Sequence, residues 1–145
     1  MLTRRSRARE VALQLLFQTD QNPTPAARPA IEKFVRERLH GEAELAAYCL
    51  GLVDGVAKHL AEIDPMLSAT AENWRLARMT PVDRNVLRLG AFELLYSPEP
   101  QPTEVVLDEC IELAKRFGSK DSPSFVNGVL AKVAKGKVSP AAGEG

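Results

Sequence analysis

The sequence predicts an all-α fold, a compact globule of about seven helices in two small helical sub-bundles. Three observations predict it. Apolar residues recur at spacings of three and four along most of the chain, the pattern of a helix with one buried face. A capping residue followed directly by proline stands at Asp64-Pro65, Thr80-Pro81 and Ser122-Pro123, an arrangement that opens a helix. No stretch reads convincingly as a strand, and no period of about 20–50 residues marks a solenoid. With 145 residues the chain suits one domain, expected over residues 1–136, with a disordered tail over 137–145.

Residues 4–18 read as the first helix. Ala8, Val11, Ala12, Leu15 and Leu16 form its apolar face, with Arg7, Glu10, Gln14 and Gln18 opposite. Residues 19–30 read as a linker kept extended by Pro23, Pro25 and Pro29. Ile31, Phe34, Val35 and Leu39 mark a second helix, stopped by Gly41. A long third helix follows, with Leu45, Cys49, Leu52, Val56, Leu60 and Ile63 facing inward. Gly51 and Gly55 lie four apart on it, as for a close helix–helix approach. Asp64 then caps a fourth helix that runs through Met66 and Leu67 towards Asn73-Trp74 and Arg75, the sub-bundles joining across residues 64–80.

The central helix spans 81–96. Thr80 caps it, Pro81 takes the first position and Asp83 gives a capping-box-like start. Arg84, Asn85 and Arg88 form an outward stripe on its first half. Its second half, LGAFELLY, is apolar almost all round, with Glu93 as the only charge, so other helices pack around it. Pro98, Pro100 and Pro102 stiffen the next connection. Thr103 caps a helix over 104–117, ended by Gly118, and Ser122 caps a last helix ended by Gly136.

Net charge is zero, but its distribution is uneven. Residues 1–9 carry +4, residues 115–137 carry +5, and the remainder carries −9. If the two ends meet in space, they form a basic surface for an anionic partner. The start is unusual in another way. A helix N-terminus favours acidic side chains, yet Arg4, Arg5, Arg7 and Arg9 crowd this one. A phosphate backbone would pair with both the arginines and the free N–H groups. The bland alternative is a solubilising tail.

Cys49 and Cys110 sit in apolar helical patterns without CxxC spacing, as reduced core residues of a cytoplasmic protein do. No signal peptide and no apolar run of membrane length is legible. His40 and His59 share no metal-ligand spacing. No nucleophile elbow, phosphate loop or dinucleotide fingerprint is present. No catalytic residue, metal or cofactor is expected. The residues alone lead to a small helical binding protein with an anionic partner.

Three stretches take the reading further: RRSRAREVALQLLFQTD, NWRLARMTPVDRNVLRLGAFELLY and VVLDECIELAKRFGSKDSPSFVNGVL. Together, in this order and over nearly the whole chain, they resemble the NusB family of bacterial transcription antitermination factors. The resemblance implies two small helical bundles and a place in the RNA polymerase antitermination complex. It implies pairing with a small-ribosomal-subunit protein that doubles as Nus factor E. It also implies binding of the pair to the single-stranded boxA element of nascent rRNA leader transcripts. A monomer and a homodimer that hides the RNA face are both implied states.

By the same resemblance, Arg4, Arg5, Arg7 and Arg9 become the main RNA-contacting arm, slightly weakened by Ser6 within the basic run. Lys120, Asp121, Ser122, Ser124, Phe125 and Asn127 become the second part of the RNA face. Phe125 fits base stacking and core packing equally well. Phe17 and Asp83, with the adjoining Arg84, become the surface towards the ribosomal-protein partner. Their bland roles are core packing for Phe17 and helix capping for Asp83. Two competing readings are the N-terminal domain of an rRNA cytosine methyltransferase, for which this chain would be a fragment, and a helical protein-interaction module that binds no RNA.

Overall fold

The computed structural model describes residues 4–22, 24–71 and 76–144. Asn73, Trp74 and Arg75, towards which the predicted fourth helix runs, lie outside them. Six α-helices follow in order: α1 Arg4–Gln21, α2 Arg28–Arg38, α3 Ala43–Thr70, α4 Pro81–Leu95, α5 Thr103–Phe117 and α6 Ser122–Glu144. A short 3-10 turn, Leu76–Arg78, precedes α4. No strand occurs among the described residues, in keeping with the predicted class.

α4 is the centre. It packs against α1, α3, α5 and α6, and ten of its fifteen residues are buried. Two glycines allow the close approach. A Cβ on Gly90 would meet Leu130 Cδ1 at 2.6 Å and Cys110 Sγ at 3.0 Å. A Cβ on Gly55 of α3 would stand 2.2 Å from the Phe92 ring. So α1, α3 and α4 form one sub-bundle, α4, α5 and α6 the other, and α4 belongs to both. The expected join across 64–80 is instead this shared helix.

Where helices begin and end follows local chemistry in most places. Thr80 Oγ1 accepts the Asp83 N–H at 3.2 Å, as predicted for a cap. α2 ends at Leu39 with the His40 N–H donating to Glu37 O at 3.3 Å and the Gly41 N–H to Arg36 O at 2.8 Å. That is a Schellman ending, but His40, with φ 55°, occupies the left-handed position usually given to glycine. α2 also starts earlier than expected, with Pro29 inside its first turn rather than in a linker.

Three expected caps fail. α3 runs unbroken through Pro65, which merges the predicted third and fourth helices and reduces seven to six. Asp64 does not cap, because both its oxygens accept from Arg88 of α4, each at 2.9 Å. Pro65 and Ala61 are both exposed, so the carbonyl that loses its donor faces water. Thr103 is the first residue of α5, with Pro102 at the cap position. Ser122 Oγ accepts the Ser119 N–H at 2.9 Å, in the turn before α6 rather than over its first turn. α6 continues past Gly136 to Glu144.

Candidate nucleic-acid and partner interfaces

The first turn of α1 holds the basic cluster with no acid among its first residues. Its four arginines part company. Arg4 and Arg7 are exposed and Arg5 is half-buried. Arg4 pairs with Glu42. Arg5 pairs with Glu99 at 2.8 Å, and its guanidinium lies 4.5 Å from the centroid of the Tyr48 ring. Arg7 Nη2 donates a long 3.4 Å bond to the Arg38 carbonyl.

Arg9 is a correction to the expected arm. Its side chain is only 2% exposed. Nε donates to Glu93 Oε2 at 2.7 Å, and Nη2 donates to Glu93 Oε1 at 3.0 Å and to Tyr48 Oη at 2.9 Å. The Tyr48 hydroxyl in turn donates to Glu93 Oε1 at 2.9 Å. Burial alone would push the guanidinium down, but the bonds and charge of Glu93 more than offset it and hold it above the ordinary arginine range. Burial and the Glu93 charge also push the Tyr48 phenol up. Helical spacing explains the sorting: Arg9 precedes Ala12, Leu13 and Leu16 on the apolar side of α1. An unpaired Glu93 there would be costly, so Arg9 is its counter-ion.

Ser6 has a structural part that its place in the basic run does not show. Its buried hydroxyl bonds Glu109 of α5 at 2.7 and 2.8 Å and ties the start of α1 to α5. Arg116, at the end of α5, pairs with Glu10 at 2.8 Å. α5 therefore lies beside the first turns of α1, and the chain passes directly from Phe117 into the turn before α6.

In that turn and the start of α6, Lys120, Asp121, Ser124 and Asn127 are exposed. Ser124 Oγ donates a long 3.4 Å bond to the Asp121 carbonyl. Ser122 is buried, with its hydroxyl held in the turn. A Cβ on Gly118 would meet Ser122 Oγ at 2.5 Å, so this turn needs both residues. Phe125 is half-buried and packs against the core.

Phe17, three turns beyond Ser6 on the same side of α1, is 38% exposed. It lines a shallow groove of about 440 Å³ with Leu13, Phe34, Val82 and Phe117. Asp83, next to Val82, is 8% exposed, and its Oδ1 has no hydrogen-bond partner. The Thr80 cap uses the Asp83 N–H, and the carboxylate Oδ1 is buried beneath the surface.

Arg84 is not part of an outward stripe. Its Nε and Nη2 donate to Asp20 Oδ2 at 3.0 and 2.6 Å, and its Nη1 to the Leu76 and Met79 carbonyls. Asn85 Nδ2 donates to the same Asp20 oxygen at 3.1 Å, and Arg88 lies 3.3 Å from Asp20 Oδ1. Burial would push the Asp20 carboxyl up, but Arg84, Asn85 and Arg88 hold it below its ordinary value. Asp20 thus clamps the end of α1 to the start of α4. Sequence reasoning placed it in the linker. The signal that could have found it is three polar donors on one side of α4, which require an acceptor.

Cys49 and Cys110 are buried free thiols, and burial pushes Cys49 up to about 12. No helix among the described residues is long and apolar enough to cross a membrane.

Comparison with known proteins places these features in a family. The NusB family model matches residues 6–135. The transcription antitermination protein NusB of Sorangium cellulosum is 50% identical over 131 residues, covering 90% of this chain and 91% of that protein. NusB of Anaeromyxobacter dehalogenans is 48% identical, covering 94% of each chain. Among solved structures, T. maritima NusB superposes with a TM-score of 0.76 at 36% identity, covering 93% of each chain. A chain from the crystal structure of antitermination factors NusB and NusE in complex with dsRNA reaches 0.81 at 27% identity, covering 93% of this chain and 98% of that one.

Proposed function

The chain belongs to the NusB family, and from that premise we propose that it is a transcription antitermination factor. It binds boxA-type RNA of nascent rRNA leaders together with the small-ribosomal-subunit protein that serves as Nus factor E. It works in the cytoplasm, within the RNA polymerase antitermination complex, as a binding protein without catalysis. The observation that carries the RNA role is the crowding of Arg4, Arg5 and Arg7 on a helix N-terminus that has no acid. That arrangement is unfavourable alone and favourable against phosphate.

The RNA face consists of Arg4, Arg5 and Arg7 with Lys120, Asp121, Ser124 and Asn127. Arg9 and Ser122 position it from beneath, and Phe125 forms its half-buried floor. The partner face is the Phe17 groove with the adjoining Asp83; Arg84 holds that face from behind. The relatives at 50% and 48% identity are antitermination proteins, which favours the factor over the methyltransferase.

The test is a salt-dependent RNA titration with and without the partner. Replacing Arg4, Arg5 and Arg7 by Ala is expected to remove most of the affinity. It is also expected to lower the salt slope by about 2, at roughly 0.7 per lost phosphate contact on a single strand. Unchanged binding and slope would sink the arm.

A further inference from the structure

We propose that the cleft between α1, α3 and the segment after α4 is a nucleobase pocket. It takes one unpaired base of the RNA strand whose phosphates lie on the α1 arginines, and so it rests on the RNA-binding reading above. The cleft has a volume of about 650 Å³ and reaches from Arg4 and Arg5 to Pro98 and Glu99, within the usual range for a small-molecule site.

Gly51 carries the inference. It lies inside α3, where glycine is less stable than alanine. Gly55, one turn on, has a packing reason, because the Phe92 ring stands where its Cβ would be. Gly51 has none: a Cβ there would meet nothing within 4 Å. It is exposed and lines the cleft. Its missing side chain keeps the floor clear.

The walls suit a flat, partly apolar guest. Tyr48 lines the cleft, and its hydroxyl is fixed between Arg9 and Glu93, so the ring is held in place. The Arg5 guanidinium lies over that ring and also lines the cleft. Tyrosine rings and arginine planes are the surfaces on which unpaired bases stack. Arg4 and Arg5 supply charge for the neighbouring phosphates. When a phosphate takes over Arg5, the Glu99 carboxylate that now pairs with it becomes a free acceptor. Such an acceptor matches the exocyclic amine of adenine, cytosine or guanine and not the carbonyls of uracil.

The test fills the cleft without touching the arm. Gly51→Leu places a large side chain over the floor, and Gly51→Ala a small one. Both are expected to melt no lower than the wild type, because the position is open and helical. The probe is boxA-type single-stranded RNA in which an abasic nucleotide is moved along the strand. One abasic position is expected to weaken wild-type binding on the order of tenfold. Gly51→Leu is expected to weaken intact RNA by a similar factor and to be insensitive to that abasic position, and Gly51→Ala is expected to fall between it and the wild type. Wild-type affinity in Gly51→Leu, with affinity still lost on replacing Arg4, Arg5 and Arg7, overturns the pocket and leaves the arm standing. RNA binding indifferent to those arginines overturns both. Loss of partner-protein binding alone in Gly51→Leu also overturns the proposal, since the cleft is then a protein site.

Discussion

Arg9 and Glu93 face each other in the interior, joined by two hydrogen bonds of 2.7 and 3.0 Å. The pair fixes the first helix to the central one directly beneath the basic cluster. Removing one member leaves the other charge buried and unpaired. Arg9→Ala is therefore expected to cost about 3–5 kcal/mol of stability, measured by chemical denaturation. Arg4→Ala, Arg5→Ala and Arg7→Ala are each expected to change it by no more than about 0.5 kcal/mol. Equal losses at all four positions would contradict the separation of the arm into contact and support.

Two glycines of α3, one turn apart, are expected to respond with opposite signs. Gly51→Ala gains roughly 0.5–1 kcal/mol, since the methyl enters open space and the helix is strengthened. Gly55→Ala drives a methyl into the Phe92 ring and loses about 1–3 kcal/mol. Thermal melts of the two single variants check this directly.

Asp20 makes stability depend on pH at the acid end. Its carboxyl is held below the ordinary value of 3.8 in the folded chain. Such a group contributes stability above its unfolded pKa and loses it as pH falls through the folded one. Asp20→Asn is expected to be less stable than the wild type at neutral pH. The two stability curves are expected to converge below about pH 4. Parallel curves down to low pH would show that the Asp20 charge contributes nothing.

The partner face can be separated from the fold. Phe17→Ala with Asp83→Asn is expected to weaken binding of the ribosomal protein by about 2 kcal/mol or more, as central interface residues do. The helical circular dichroism signal is expected to persist, because Phe17 is partly exposed and the Thr80 cap uses a backbone N–H of Asp83. Collapse of the helical signal would return both residues to purely structural roles.

Helices were legible from the sequence wherever local chemistry decides: Thr80 with Pro81, the 3–4 spacing of α3, the apolar second half of α4. Errors cluster where a distant residue outbids a local signal. Asp64-Pro65 reads as a helix start, yet Arg88 takes the Asp64 carboxylate. Arg84 and Arg88 read as solvent-facing until Asp20, remote in sequence, draws them in. In the candidate site, charge composition marked the arginine-rich start of α1 but could not sort its arginines. Arg9 looks like its neighbours in a list of arginines. Only its place on the apolar stripe of α1, with Glu93 lacking a partner in α4, sets it apart.

Because α4 is wall to both sub-bundles, neither half possesses a complete interior by itself. Opening α5 and α6 exposes the Gly90 side of α4, and opening α1 and α3 exposes its Phe92 side. The chain is thus expected to unfold as one cooperative unit, with a single denaturant transition by every probe. The slowest-exchanging amides should fall in α4 between Val86 and Leu94, where only global opening reaches them.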